Sequence, residues 1–393
     1  MKKILFFLTL PALILTFMAL ATPALPRLYL LNWGEYIDDD LIKKFEEEFN
    51  CDIYEETVSS SESMYQKIYD GKTHYDVAIP GDYVIEKLYK KSLINELDFN
   101  RIPNYYSGMF VDDLESLRKN STFPDFYKYS MPYFWGAYAI IYRTDEEVSY
   151  VKDVVEEYGF SALFDRSLYK EHADDVKIGM YDIARYGVTA YLLINGYDIN
   201  TTDYEVLEGA ISYLKNARYN RWGTDELKKD VASGNLDVFL AQLGDFFDQR
   251  YVVLDSFKDV NFNCYIPQKT AAFFDAMVIP KTAQNEDLAY KFINFMLDHD
   301  NAYQNASFVG YSPTIKTVVE EFKLSINDVP NIDEFDSTFE YEEALYWYRA
   351  QVDLLSNHPE FLNPLEGREA TLFADLGNQY AAELSYIKNK AKE

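Results

Sequence analysis

Cysteine is scarce in this 393-residue chain. Only Cys51 and Cys264 are present, far apart in sequence, so no disulfide framework organises the fold and two buried free thiols are expected. Histidine is equally thin. His74, His172, His299 and His358 stand apart without zinc-type spacing, and neither a metal nor another cofactor is expected. Basic residues are outnumbered, 37 Lys and Arg against 65 Asp and Glu, for a formal net charge of -28. That deficit excludes the basic footprint of a nucleic-acid binder. It suits solubility and permits a cationic ligand. There is no Gly-rich phosphate loop and no nucleophile elbow, and carboxylates are too numerous for any pair to mark catalysis, so no enzyme is expected. The sequence also lacks internal repeats, low-complexity blocks and flexible linkers. Beyond residue 24 no apolar run is long enough to cross a bilayer.

What is present begins with "MKKILFFLTLPALILTFMALATPAL". Lys2 and Lys3 precede an apolar run from Ile4 to Leu20, and Ala19-Leu20-Ala21 or Thr22-Pro23-Ala24 offers a cleavage site. Residues 1–24 therefore read as a secretory signal peptide, with an uncleaved membrane anchor as the alternative. The remaining chain is too long for one ordinary core and suits two lobes. Hydrophobic residues make up 48% and aromatic residues 17%, led by 35 Tyr, which is ample material for cores and for an aromatic-lined site.

Strands alternate with helices from the start. Leu28 to Asn32 is strand-like. Asp39 to Asn50 carries Leu41, Ile42, Phe45 and Phe49 on one helical face, with Asp38 or Asp39 as cap. "CDIYEETV" is a second strand. "SSSESMYQKIYDG" is a helix with serine caps and Gly71 as its stop. "YDVAIP" is a third strand, and Tyr83 to Lys91 a third helix. A second series follows residue 136, with "DVKIGMYD", a helix after Arg185, "LDVFLAQLG" and "VNFNCYIP". "NEDLAYKFINFML" is an amphipathic helix, and the stretch after Phe322 is acidic and helical in character. Such alternation implies an α/β fold with mixed sheets, in which ligands sit beyond the carboxyl ends of the strands. Asn32-Trp33 and Pro80-Gly81 lie at those ends. Two lobes without a linker imply a chain that crosses between them more than once.

"NWGEYID", "SSSESMYQKI", "YDVAIPGDYVIEKL", "MPYFWGAYAIIY", "FFDAMVIP", "YKFINFML" and "VGYSP" follow one another in an order that resembles the periplasmic polyamine-binding proteins of ABC importers, the spermidine/putrescine group. The resemblance runs from Leu28 to about Thr314. It implies a two-lobed type II periplasmic-binding-protein fold whose hinge-linked lobes close on a ligand. It places lobe 1 at 25–136 with a return segment at 271–318. Lobe 2 takes 137–270 and a C-terminal helical part at 319–393.

The residue types suit a polyamine. Its methylenes want aromatic walls, and each ammonium wants a carboxylate or a ring face. A cation on an aromatic face is worth roughly 0.5–2 kcal/mol, and a hydrogen bond to a charged group about 1.5–3 kcal/mol. The resemblance carries Trp33, Glu35 and Tyr36 to the family's first-strand element, with Gly34 where a hydroxyl residue is common. It carries Tyr83 to a site tyrosine. Gly81 stands where a site serine is usual; Asp82 beside it is read as the cap of the next helix, compensation for the lost bond being the alternative. "YDIARYGV" resembles an acidic D-x-x-R-E motif that keeps Asp182 and Arg185 but has Tyr186 in place of the glutamate. In "LAQLGDFF", Asp245 keeps an acid and Gln242 replaces a tryptophan. In "FFDAMVIP", Asp275 keeps an acid and Phe273 replaces a tryptophan. Asp275 stands out on its own terms too, because an acid flanked by apolar residues is costly to bury unless it meets a cation. "GYSPT" keeps Tyr311. Trp135 matches the family as packing near the first crossover. The glutamine that the family often supplies near the C-terminus has no evident counterpart, and Phe373 is the nearest residue.

The implied function is extracytoplasmic capture of a polyamine in an interlobe cleft and delivery to an ABC permease and its ATPase. The expected chain is a periplasmic monomer that meets the membrane only through the permease or an uncleaved signal anchor. With fewer tryptophans and one acid fewer than the family pattern, either a shorter or less charged amine or a reduced polyamine affinity is expected. A different small solute, or a sensor in place of a transporter component, is the alternative.

Overall fold

The computed structural model describes residues 24–393; the signal segment falls, up to residue 23, outside the described residues. Eleven strands appear in chain order: β1 Arg27–Trp33, β2 Asp52–Val58, β3 Val77–Ala78, β4 Met131–Arg143, β5 Ile178–Tyr181, β6 Arg221–Gly223, β7 Val238–Gln242, β8 Phe262–Tyr265, β9 Lys269–Met277, β10 Ser312–Pro313 and β11 Glu369–Leu372. The alternation of strands and helices is the one the sequence predicts.

The first sheet is parallel, in the order β2-β1-β3, with Trp33 opposite Val58 and Leu30 opposite Val77. Leu28, Leu30 and Leu31 on β1 are fully buried. The covering helix Asp39–Phe49 starts at Asp38, whose side chain accepts from the Asp40 amide at 2.9 Å. Its Leu41 and Phe45 are buried, and Phe45 meets Phe292 and Phe295 edge-on at 5.4 and 5.3 Å. The late helix Glu286–Met296 thus shares a core with helix Asp39–Phe49. Helix Ser61–Asp70 begins at Ser60 and stops at Gly71, whose φ of 58° is the left-handed conformation glycine adopts without strain.

The second sheet runs β11-β9-β4-β7-β5-β6, with β8 and β10 also on β4. All thirteen residues of β4 are buried, which is why "MPYFWGAYAIIYR" shows no alternation of apolar and polar residues. Its Met131–Ala137 half pairs with β9, and its Tyr138–Arg143 half pairs with β7 and β8. Antiparallel bridges Ala78–Val278 and Gly81–Asp275 tie the end of β9 to the first sheet. Strands β4 and β9 therefore run from one body of the molecule into the other. Trp135 is fully buried and donates its indole N–H to the Pro313 carbonyl at 3.2 Å.

The C-terminal part is less purely helical than its sequence suggests. It contributes β11, parallel to β9 from Glu369–Lys269 to Leu372–Ala272. A short strand paired across 100 residues leaves no local periodicity to read. Both cysteines are buried and free. Among the described residues no helix is long and apolar enough to cross a membrane.

Candidate functional site

The carboxyl ends of β1, β5 and β7, at Trp33, Tyr181 and Gln242, converge on a cavity of about 170 Å3 between the two bodies. The crossing strands add Tyr138, Phe273 and Asp275.

One wall follows β1. Trp33 is fixed by its indole N–H, which donates to the Ile79 carbonyl at 2.8 Å. Glu35 sits exposed in the turn after the strand with φ 55°, a left-handed conformation uncommon for a residue with a side chain. Tyr36 is buried and donates to Asp275 at 2.7 Å. Its carbonyl accepts from the Tyr133 hydroxyl at 2.8 Å, and that hydroxyl in turn accepts from Asn305 at 2.7 Å. Burial pushes the Asp275 carboxyl up to about 7, partly offset by the Tyr36 hydrogen bond, and among the described residues no cation opposes the shift. A side chain on Gly81 would begin 3.2 Å from Asp275 Oδ1, so a hydroxyl at that position would meet this carboxylate.

The facing wall is more self-contained. Tyr186 lies in a stack between Tyr138 and Tyr181, at ring separations of 4.6 and 4.4 Å. Asp245 accepts from the Gln242 amide at 3.0 Å and from the Tyr181 hydroxyl at 2.9 Å. The first bond caps helix Leu243–Asp255. Tyr311 reaches Gln242 Oε1 at 3.2 Å and Asp245 at 3.5 Å. Burial raises the Asp245 carboxyl to about 6; the nearby Lys228 ammonium and the Tyr181 bond restrain it. Lys228 is paired with Asp248 at 2.5 Å. Tyr311 packs so closely on the helix start that a Cβ on Gly244 would lie 2.1 Å from its ring. Phe273 bears on Gly136 in the same way, 2.7 Å from where a Cβ would be.

A third corner holds a cation. The Arg185 guanidinium lies over the rings of Tyr83, Phe373 and Tyr380, at 4.3, 5.1 and 5.4 Å. Its Nη1 is buried without a hydrogen-bond partner. The Tyr83 hydroxyl donates to Glu62 at 3.1 Å. Asp82 accepts from the Tyr83 amide at 2.8 Å and the Phe373 amide at 3.1 Å. Burial raises its carboxyl to about 8 despite both bonds and Arg185.

The structure brings Trp33, Gly34, Glu35, Tyr36, Gly81, Asp82, Tyr83, Tyr186, Gln242, Asp245, Phe273, Asp275 and Tyr311 around this one cavity. Two expectations are corrected. Asp182 is not on its wall. Its carboxylate accepts from Lys392 at 2.8 Å and forms an ion pair with Lys388 at 3.1 Å, so it anchors the C-terminal helix Gly377–Lys392. Burial opposes ionisation there, but the two ammonium groups hold the carboxyl below its ordinary value. Asp82 is not the helix cap either. Gly81 holds that position and Asp82 is the first helical residue, binding its neighbour's amide and the C-terminal segment.

Sequence reasoning missed Glu62, Tyr138, Tyr181, Asp225, Lys228 and Asp248, all on the cavity wall. Tyr181 ends a strand, so the strand-end rule that pointed to Trp33 could have found it.

The profile of the bacterial extracellular solute-binding proteins matches residues 40–334, about three quarters of the chain. A putrescine/cadaverine-binding protein of Pseudomonas aeruginosa is 28% identical over 316 residues, covering 79% of this chain and 84% of that one. A spermidine/putrescine-binding periplasmic protein of Escherichia coli is 29% identical over 288 residues, covering 72% and 76%. Among solved structures, a putative spermidine/putrescine ABC transporter from Listeria monocytogenes is similar with a TM-score of 0.68. It is 29% identical and the match covers 93% of this chain and 98% of that one.

Proposed function

The chain belongs to the bacterial extracellular solute-binding protein family, and from that premise we propose that it captures a short polyamine of the putrescine type between its lobes and hands it to an ABC permease and ATPase. The family and the relatives are solute-binding proteins, not enzymes. One observation carries the ligand class. Among the described residues, the buried Asp275 carboxylate has a single hydroxyl donor and no cationic partner. A charge in that state calls for a cationic partner. The balance of charge around it agrees, since among the described residues Glu35, Glu62, Asp82, Asp225, Asp245, Asp248 and Asp275 face only Arg185 and Lys228. Tyr36, Tyr311 and Phe273 give the methylenes an aromatic channel, Trp33 and Glu35 close the mouth, and Asp245 meets the second amine. Arg185 repels a further ammonium from the Tyr83 corner, which favours a diamine over a long polyamine.

We place one lobe at 25–136 and 271 onward and the other at 137–270 and the C-terminal part. The boundary of the return segment belongs at Ser325 rather than residue 318, because helix Lys316–Ser325 packs on helix His299–Val309. Closure bends β4 and β9 between the lobes. The chain works outside the cytoplasm as a monomer, released from or held by its leader, and the cavity is complete within one chain.

A second reading, a solute with both an amine and a carboxylate, is favoured by the unpartnered Nη1 of Arg185. Calorimetric titration of the purified chain with putrescine, cadaverine, spermidine, spermine and an ω-amino acid separates the two. Tightest binding to a diamine supports the first reading. Tightest binding to spermine overturns the size argument, and preference for the ω-amino acid overturns the polyamine. Loss of labelled putrescine uptake on gene deletion distinguishes transport from sensing; unchanged uptake favours a sensor.

A further inference from the structure

Away from the cavity, a side chain of β8 meets two from the C-terminal segment. Cys264 lies on β8, opposite Ile141 of β4. His358 ends helix Thr338–Asn357, and Glu360 sits in the single turn Pro359–Phe361 that follows. None of the three lines the cavity. Cys264 Sγ is 3.5 Å from Glu360 Oε1, and His358 Nδ1 is 3.1 Å from the same oxygen. One donor atom from each residue lies within 4.8 Å of the other two. Cys264 and His358 are each only 9% exposed, and the His358 ring packs at 4.8 Å from Phe246.

We propose that Cys264, His358 and Glu360 form a binding site for a zinc-like divalent transition metal that fastens the C-terminal segment to β8. The geometry suits the ion. Bonds of about 2.3 Å to sulfur, about 2.0–2.1 Å to nitrogen and about 2.0–2.2 Å to oxygen at tetrahedral angles give ligand-to-ligand edges of roughly 3.3–3.6 Å. The two separations given above are close to those edges before any ion is added. The donor set is selective as well. Thiolate with imidazole favours zinc-like metals over calcium or magnesium, which take oxygen. Three protein ligands leave one position for water. The need for a fastening is visible in the helix that leads to the site, since Thr338–Asn357 buries none of its residues. Histidine spacing gives no hint of this site, because Cys264 and Glu360 are 96 positions apart.

The test uses the full purified chain, stripped with a chelator and titrated with zinc chloride against a chromophoric competitor. A parallel titration with cobalt chloride reads the thiolate-to-cobalt charge-transfer band and the visible bands of a four-coordinate ion. Expected are one metal per chain, a thiolate band, and a melting temperature raised by zinc. Cys264→Ser and His358→Gln each lower zinc affinity by at least the roughly 10–100-fold that outer-shell changes cost. Cys264→Ser removes the thiolate band, while amine binding stays at the wild-type level. Cys51→Ser changes nothing. If Cys264→Ser does not fold, His358→Gln and Glu360→Gln carry the test on affinity, and the wild-type cobalt spectrum carries it on ligand identity. The proposal is overturned if the wild-type chain binds no stoichiometric zinc, if cobalt shows no thiolate band, or if Cys51→Ser removes that band.

Discussion

Asp275 and Asp245 are both buried carboxylates on one cavity, and they are held differently. Asp275 takes one hydroxyl from Tyr36 and, among the described residues, faces no cation. Asp245 takes a backbone amide and the Tyr181 hydroxyl, with Lys228 nearby. In the proposed function the first is left for a ligand to neutralise. The second is largely answered by the protein, and part of its work is capping a helix. Burial alone does not make a binding carboxylate; what the fold leaves unanswered around it does.

The largest expected effect is at Asp275. Asp275→Asn should weaken diamine binding by about 30-fold to several thousand-fold, since losing one member of a buried charge pair costs about 2–5 kcal/mol. The same change should stabilise the ligand-free protein. A folded value near 7 against an ordinary 3.8 means the fold favours the neutral acid. Its stabilising contribution is complete below about pH 4 and is lost as pH rises through 7. The Asn variant never acquires the charge, so its advantage should be on the order of a few kcal/mol at pH 8 and vanish near pH 4. Melting curves at pH 4, 6 and 8 check this, and a variant less stable at pH 8 would break the comparison.

Next in size is the pH dependence of the wild type. An ammonium needs the carboxylate, so affinity should plateau above about pH 7 and fall about tenfold per unit below it. Calorimetry from pH 8 to pH 5 should show a loss of about 100-fold. Asp245→Asn should keep that inflection. Gly244→Ala forces a methyl group into the Tyr311 ring. Overpacking costs about 1–3 kcal/mol, so amine affinity should drop about tenfold or more, with Tyr311 displaced in a solved structure of the variant. Asp245→Asn itself should cost only about tenfold, because Lys228, Tyr181 and the Gln242 amide already answer most of the charge of this acid in the wild type; a loss equal to that at Asp275 would erase the difference drawn between them. Glu35→Gln is the smallest change. Exposed charge pairs are worth about 0.2–1 kcal/mol, so titration should show a loss of a few-fold at most, shrinking further in high salt.

Much of the β1 wall was legible because its evidence is local. A buried strand ends, and Trp33, Glu35 and Tyr36 follow at the place where α/β sheets bind ligands. Asp275 was legible because apolar residues flank it on both sides. The other wall was not. Asp182 looks like a site acid at the end of a strand, yet lysines 206 and 210 positions away claim it. Tyr138 lies mid-strand among apolar residues, where β4 changes partners, and nothing in its neighbours marks it as a cavity residue. Lys228 and Asp248 give no sign in sequence that they pair beside a cavity.

By itself the sequence determined the alternation of strands and helices, a helix start at Asp38 or Asp39, the stop at Gly71 and the stock of acids and rings, because these follow from neighbours a few residues apart. Which of those acids stays uncompensated was decided only by the tertiary structure. Tyr36 and Asp275 are 239 positions apart, and desolvation belongs to the packed cavity rather than to any residue in it. The same holds for Cys264, His358 and Glu360, whose donor atoms become neighbours only when the C-terminal segment closes on β8.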